Sequence, residues 1–432
     1  MADLLTRLQA LRDPIPIGIV GIGSIGKGLV FQSHITPGIR CVAIADLRPE
    51  RAVAAAEAFH LPHRVVRTLG AMHDAVRAGA LAVCEDGELV AQCEPVRLLI
   101  EASNALAPAR QFALCALRHG KHVVMMNAEA DLMFGAQLMQ AAQRAGLVYT
   151  SCDGDQPAVI ARLVEELRLW GFELVMAGNI KGFLDRYANP TTIAPEADKR
   201  ALDHKMCASY TDGTKLCIEM ALVANALGLR VDTPGMHGPR AASVYDVFDH
   251  FDFDALWRDR RPVVDYLLGA TPTGGAFAIG YTGEPFQQFT LDWFPPRMGP
   301  GPYYVFYRPY HLGHIEAMTT VAEAALDGRA VLQPVRGFRT NVYAYAKRHL
   351  RRGERLDGLG GYACYGLIEN CDDARDRPGL PMCLTDDVTL LRDVATDERL
   401  SLDDVSFHAD DAAHRFYLES VAHAAAAVES AV

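Results

Sequence analysis

Pro14-Ile15-Pro16-Ile17-Gly18-Ile19-Val20-Gly21-Ile22-Gly23-Ser24-Ile25-Gly26-Lys27 is an apolar β-strand running straight into G-x-G-x-x-G, and it makes the first third of the chain a nucleotide-binding unit. Gly21 permits the tight turn, Gly23 lets the backbone approach a pyrophosphate, and Gly26 lets the next helix pack close to its strand. Ser24 and Ile25, inside the motif, count with the glycines as cofactor-binding. A helix is expected through Leu29 to Ser33, and then a second apolar run, Cys41 to Ala45, ends in Asp46. That carboxylate lies about 20 residues beyond the glycines, where an acidic side chain accepts hydrogen bonds from an adenosine ribose. Asp46 repels a 2′-phosphate and favours NAD, whereas Arg48 can turn towards that phosphate, so the cofactor is read as NAD or NADP.

Outward from this motif, apolar runs alternate with helical patterns as parallel βαβ units do. Val96 to Ala102, His122 to Met126 and Val148 to Ser151 read as strands, and Ala107 to Arg118 and Leu132 to Ala145 as helices ended by Gly120 and Gly146. The fold class is therefore α/β, with an N-terminal Rossmann doubly wound parallel sheet over residues 1–156. Its strand ends supply Ser103, Asn104 and Asn127 for the cofactor and Glu129 and Asp155 for the substrate. Residues 157–330 change character: long helices (Ala158 to Leu169, Thr214 to Leu227), a strand around Phe277 to Tyr281, and an aromatic-rich loop from Trp293 to His314. This reads as an α+β catalytic and oligomerisation domain. Residues 331–432 read as a small β-rich domain closed by a helix from Ala413 to Ala431.

A formal charge of −11 opposes a nucleic-acid partner, because phosphate-binding surfaces need clustered Lys and Arg and no long basic run is present. Ten cysteines without a C-x-x-C pair suggest neither a zinc site nor a disulfide framework. Met1 to Arg12 reads as an amphipathic helix rather than a signal peptide, and no apolar stretch has the length to span a bilayer. A cytoplasmic protein with no membrane partner is expected.

Three clusters carry the expected chemistry. In Ser209-Tyr210-Thr211-Asp212-Gly213-Thr214-Lys215, a cation sits in the first turn of a helix apolar on nearly every face, where the helix dipole disfavours it. Lys215 is placed to share a face with Asp212 and Glu219, and a buried lysine can act as general acid or base for a hydroxyl that becomes a carbonyl. The alternatives are an ordinary capping role for Asp212 or Thr211 at the free N–H groups of the helix start, and for Lys215 a surface ion pair, although Lys before Glu is the poorer order. A basic loop, Asn179 to Asn189 with Lys199 and Lys205 beyond, offers Lys181, Arg186, Asn189 and Lys199 for a carboxylate or phosphate, against the alternative of solvated charge. Tyr307-Arg308-Pro309-Tyr310-His311-Leu312-Gly313-His314 offers Arg308 and His311 to a ligand, and Pro309 and Gly313 argue against a helical metal pair, leaving any metal unassigned.

At these residues the chain resembles the homoserine-dehydrogenase-like oxidoreductases that carry a C-terminal SAF domain. The matching words include Gly120 to Asn127, Gly154-Asp155-Gln156-Pro157, Asp212-Gly213-Thr214-Lys215, Gly235-Met236-His237-Gly238-Pro239-Arg240, Tyr307 to Leu312, and Ala346 to Asp357 with Gly360-Gly361-Tyr362 in the SAF-like part. The resemblance implies hydride transfer to or from a small polar hydroxy or oxo compound, with Asp212 and Lys215 serving the reacting hydroxyl and a homodimer or higher homo-oligomer as the assembly. Asn127 is followed by Ala128 where the family carries a lysine, which leaves the substrate open. The same architecture resembles deoxyxylulose-phosphate-reductoisomerase-like enzymes, which implies a phosphorylated sugar as the alternative substrate. A non-catalytic dinucleotide sensor is the alternative from another class, and it predicts cofactor binding without turnover.

Overall fold

Seven short strands form one parallel sheet: β1 (Ile15–Val20), β2 (Ile39–Ala45), β3 (His63–Val65), β4 (Leu81–Cys84), β5 (Leu98–Glu101), β6 (His122–Met125) and β7 (Tyr149–Ser151). Their spatial order is β3-β4-β2-β1-β5-β6-β7, so the chain runs to one side of β1 and then returns to build the other. In such sheets the ligand crevice lies at the switch point, here beyond the carboxyl ends of β1 and β5. The computed structural model describes residues 3–199, 202–373 and 377–429. Met1, Ala2, Ser430 and Ala431, which fall in the expected terminal helices, lie outside the described residues; the helices run Leu4–Gln9 and Ala412–Glu429.

Two compact units are present: residues 1–158 with 312–333, and residues 159–311 with 334–432. In the first, the helix Ser24–Ile35 follows the glycine turn and is longer than the expected Leu29 to Ser33. Helix Ala317–Asp327 returns to this unit because Ala317, Val321, Ala322 and Ala324 share a core with Ile17, Ile19, Ile100 and Val124. Leu332 then ties the segment to β7, its carbonyl accepting the Ser151 N–H at 3.0 Å. The expected boundary at 330 thus falls inside a segment that belongs with the nucleotide unit.

The second unit has a four-stranded sheet ordered β11-β10-β8-β9, from β8 (Glu173–Lys181), β9 (Val263–Leu268), β10 (Ala276–Tyr281) and β11 (Tyr303–Arg308). β11 corrects the expected loop from Trp293 to His314: its backbone pairs antiparallel with β10, Ala276 facing Arg308 and Tyr281 facing Tyr303, and Tyr303 to Phe306 are buried. The C-terminal residues add β12 (Thr340–Ala346), β13 (Arg355–Asp357), β14 (Cys364–Asn370), β15 (Asp386–Leu390) and β16 (Val405–Ser406). They form a β12-β14 pair and a β13-β15-β16 sheet. They are not a separate appendage. Every residue from Thr214 to Ala226 is buried in the helix Thr214–Leu227, and a helix buried on every face needs cover on all sides. β12 and β14 provide part of it, with the Gly366 N–H donating to Thr214 Oγ1 at 2.8 Å and Asn225 Nδ2 to the Thr340 carbonyl at 3.1 Å.

Candidate functional site

In the nucleotide unit the three glycines have three distinct reasons. Gly21 has φ +88°, and a Cβ there would lie 2.5 Å from the Ser103 backbone. A Cβ on Gly26 would collide with the Gly21 carbonyl, whereas one on Gly23 meets nothing within 4 Å. Gly23, Ser24 and Ile25 are exposed between buried neighbours, and no side chain caps the helix that they open. Open space, uncapped backbone N–H groups and a helix dipole together fit a pyrophosphate. Asp46 closes the far side, accepting the Ile22 N–H on Oδ2 at 2.8 Å and the Arg48 N–H on Oδ1 at 2.9 Å. It fixes the turn and keeps lone pairs for a ribose hydroxyl. Arg48 is exposed beside it.

Across the switch point, Ser103 Oγ accepts the Ala105 N–H at 3.3 Å and Asn127 Nδ2 donates to the Ala105 carbonyl at 2.8 Å. Asn127 Oδ1 also caps the helix Ala128–Arg144 through the Ala130 N–H at 3.0 Å. Asn104 is exposed, and Glu129 is half-buried in the first turn of that helix. Asp155 accepts the Gln156 N–H at 3.1 Å, and Asp153 Oδ2 accepts from Thr320 Oγ1 at 2.9 Å. Two residues of this crevice carry more burial than the sequence reading gave them. Glu101, at the end of β5, is fully buried, and burial raises its carboxyl to about 7. Asp131 accepts hydroxyls from Tyr149 and Ser151, both at 2.6 Å, and burial raises it to about 6. The signal was an acid closing an apolar run, Leu98-Leu99-Ile100-Glu101.

In the second unit Lys215, Asp212 and Glu219 are all buried, at 9%, 4% and 7% exposure. Asp212 and Lys215 do not share a helix face, contrary to expectation; Asp212 lies before the helix, as the capping alternative has it. Gly213 at φ +88° breaks the chain between Asp212, which ends the helix His204–Thr211, and the start of the next helix. The partner of Asp212 is Lys347, immediately after β12, with Nζ 2.9 Å from Oδ2. Lys347 Nζ also donates to the Ala188 carbonyl at 2.5 Å and the Gly361 carbonyl at 2.8 Å, so two hydrogen bonds hold the ammonium whose charge faces the Asp212 carboxylate. Asp212 Oδ1 accepts the Thr214 N–H at 2.8 Å, which fixes the first turn that carries Lys215. Burial outweighs Lys347 and holds the Asp212 carboxyl above its ordinary range.

The basic loop is anchored at the same place. The Asp185 N–H donates to the Thr211 carbonyl at 2.8 Å, and the Ala188 carbonyl holds Lys347. Lys181 ends β8, while Arg308 ends β11 and lies across Ala276 from Asn179 in register. His311 Nδ1 lies 2.6 Å from the Gly274 carbonyl, in the loop that leads into β10. Lys181, Arg308 and His311 therefore converge on one end of the four-stranded sheet. Arg186 stacks over Tyr365 at 5.2 Å, and Tyr187 and Tyr365 both donate to Asp397. Asn189 spends Oδ1 on a turn, accepting the Thr191 and Thr192 N–H groups at 3.0 and 3.1 Å, and Lys199 is exposed at the end of the helix Ala194–Lys199. One further pair went unread: His237 Nδ1 lies 2.9 Å from the buried Asp265, a hydrogen bond that raises the imidazole. Among the described residues no three His, Cys, Asp or Glu side chains gather as a metal-binding group, and no helix is long and apolar enough to cross a membrane.

Comparison with known proteins agrees with this division. Residues 21–150 match the homoserine dehydrogenase NAD-binding domain, and residues 154–317 match the catalytic domain of oxidoreductase DRL. A 1-deoxy-D-xylulose 5-phosphate reductoisomerase of Saccharophagus degradans is 29% identical over 181 residues, covering 41% of this chain and 44% of that protein. A homoserine dehydrogenase of Synechocystis sp. is 24% identical over 142 residues, covering 31% of this chain and 28% of that protein. The chain thus spans less than half the length of these curated relatives. Among solved structures, a homoserine dehydrogenase from Thiobacillus denitrificans aligns over 79% of this chain and 84% of its own, at 15% identity and a TM-score of 0.42. The chain thus carries a match to a homoserine-dehydrogenase-type NAD-binding domain followed by a match to the catalytic domain of an oxidoreductase, DRL.

Proposed function

We propose that this oxidoreductase moves a hydride between NAD(P) and a small polar hydroxy or oxo compound, with Lys215 as the proton partner of the reacting oxygen. Bound NAD(P)H supplies the hydride to a carbonyl carbon; Lys215 Nζ gives the proton to the carbonyl oxygen, and takes it back in the oxidation direction. The observation that carries this reading is a lysine buried in the first turn of a helix buried on every face, with Glu219 one turn on and a start locked by Asp212 and Lys347. Asp212 is accordingly a positioning residue. Lys181, Arg186, Asn189, Lys199, Arg308 and His311, with Glu129 and Asp155, are the candidate substrate-binding groups, and Ser103, Asn104 and Asn127 those for the nicotinamide end of the cofactor.

A phosphorylated sugar is the favoured substrate class, because the basic loop offers cations in a chain of net charge −11 and three curated relatives are named as 1-deoxy-D-xylulose 5-phosphate reductoisomerases. The C-terminal SAF-like segment serves this site by holding the loop through Lys347, Tyr365 and Asp397. The test is NAD(P)H oxidation over a panel of phosphosugars, aldehydes and amino-acid semialdehydes. Turnover on a phosphosugar, lost on its dephosphorylated form, is the expected result; cofactor binding with no turnover on any of them would make the protein a sensor.

A further inference from the structure

Glu101 ends β5 at 0% exposure: Oε1 accepts the Ser103 N–H at 3.1 Å, Oε2 accepts no hydrogen bond of good geometry, and the Asn127 amide is the polar side chain beside the carboxyl. An interior carboxylate with so few donors is costly in its charged form. From this residue a chain of contacts leads to the pyrophosphate turn. The Ser103 backbone is what excludes a Cβ at Gly21, and the 102–106 turn is held below by Glu101 and above by Asn127 through Ala105. β1 and β5 are neighbours at the switch point, with Val20 opposite Glu101.

The charged and titratable groups around Glu101 are Glu129 and Asp131 from the helix Ala128–Arg144 and Tyr149 from β7. β1 and β6 present Val20 and Met125 to it, and on the helix Ala107–Arg118 the Arg110 guanidinium is tied to Gln137. Among the described residues no lysine or arginine forms an ion pair with Glu101, so ionising it adds negative charge behind an opening that receives a diphosphate.

We propose that Glu101 is a positioning residue for dinucleotide binding that acts in its protonated state, so that cofactor affinity falls as the pH rises through neutrality. Burial pushes its carboxyl up to about 7, which puts the change in that range. By linkage, binding the dinucleotide near pH 7 takes up part of a proton from solvent.

The experiment is NADH binding to the full chain, read by fluorescence at pH 6, 7 and 8, for the wild type, E101Q, E101A and D131N. The wild-type Kd should rise roughly three- to tenfold between the extremes. E101Q keeps the acceptor for Ser103 but cannot ionise, so its Kd should stay at the low-pH value throughout; E101A should bind weakly at every pH, and D131N should keep the wild-type step. With NADPH the 2′-phosphate titrates in every protein, so the difference between wild type and E101Q is the readout. A flat wild-type profile, an E101Q profile that keeps the step, or a step lost in D131N would overturn the proposal. Calorimetry of the wild type in two buffers of different ionisation enthalpy needs no substitution, and zero proton uptake at pH 7 would overturn it as well.

Discussion

At the scale of single residues, two buried charges make opposite predictions. Lys347 and Asp212 are 3% and 0% exposed at the side chain and compensate one another. Lys347→Met should leave the Asp212 carboxylate without its partner and cost about 3–5 kcal/mol in denaturant unfolding of the second unit. Lys347→Met combined with Asp212→Leu should recover much of that loss, because an apolar pair leaves no orphan charge. Glu101 works the other way. Its folded-state carboxyl titrates at about 7 against an ordinary 4.5, so below pH 4.5 both folded and unfolded chains hold the proton. Between pH 4.5 and 7 only the folded chain holds it, and stability due to this group is lost progressively as the pH rises through that window. The stability difference between E101Q and wild type should therefore shift by about 3 kcal/mol in favour of E101Q between pH 4 and 8, as measured by urea unfolding.

At the scale of elements, the glycine turn separates ligand from fold. Gly23→Ala adds a methyl into open space and should leave the melting temperature within about 2 °C while weakening NAD(P)H binding at least tenfold. Gly26→Ala drives its methyl into the Gly21 carbonyl and should lower stability by more than about 2 kcal/mol along with binding. Equal melting losses for both would mean that the opening at Gly23 is a packing feature. This turn, and the helix Thr214–Leu227 whose bounds match the expectation, were legible because each rests on local rules: φ at a glycine, and an apolar pattern too continuous for a surface helix. β11 was not. Its aromatic and proline-flanked residues carry no clean period, and only the pairing with β10 makes them a strand. The break between Asp212 and Lys215 was missed for a related reason: a three-residue spacing means a shared face only if the helix is continuous, and Gly213 ends that continuity.

At the scale of the whole molecule, the sequence order of segments and their grouping in space part company. Residues 312–333 pack with the nucleotide unit and 334–432 with the catalytic unit, a division set by which apolar surfaces need cover and so not readable from composition along the chain. A chain ended after Gln333 would strip β12 and β14 from the Thr214–Leu227 helix and leave Asp212 without Lys347. It should retain NAD(P)H binding by the nucleotide unit but lose the cooperative unfolding transition of the second unit, which differential scanning calorimetry reads as one missing peak; two undiminished transitions would show that the C-terminal strands are an accessory after all.

The central claim is that Lys215 exchanges the proton with the substrate oxygen, and its most direct test is steady-state turnover of Lys215→Ala on whichever panel compound the wild type reduces. The prediction is a kcat lower by roughly two to four powers of ten with NAD(P)H affinity within twofold of wild type. A Lys215→Ala enzyme that turns over at the wild-type rate would contradict it.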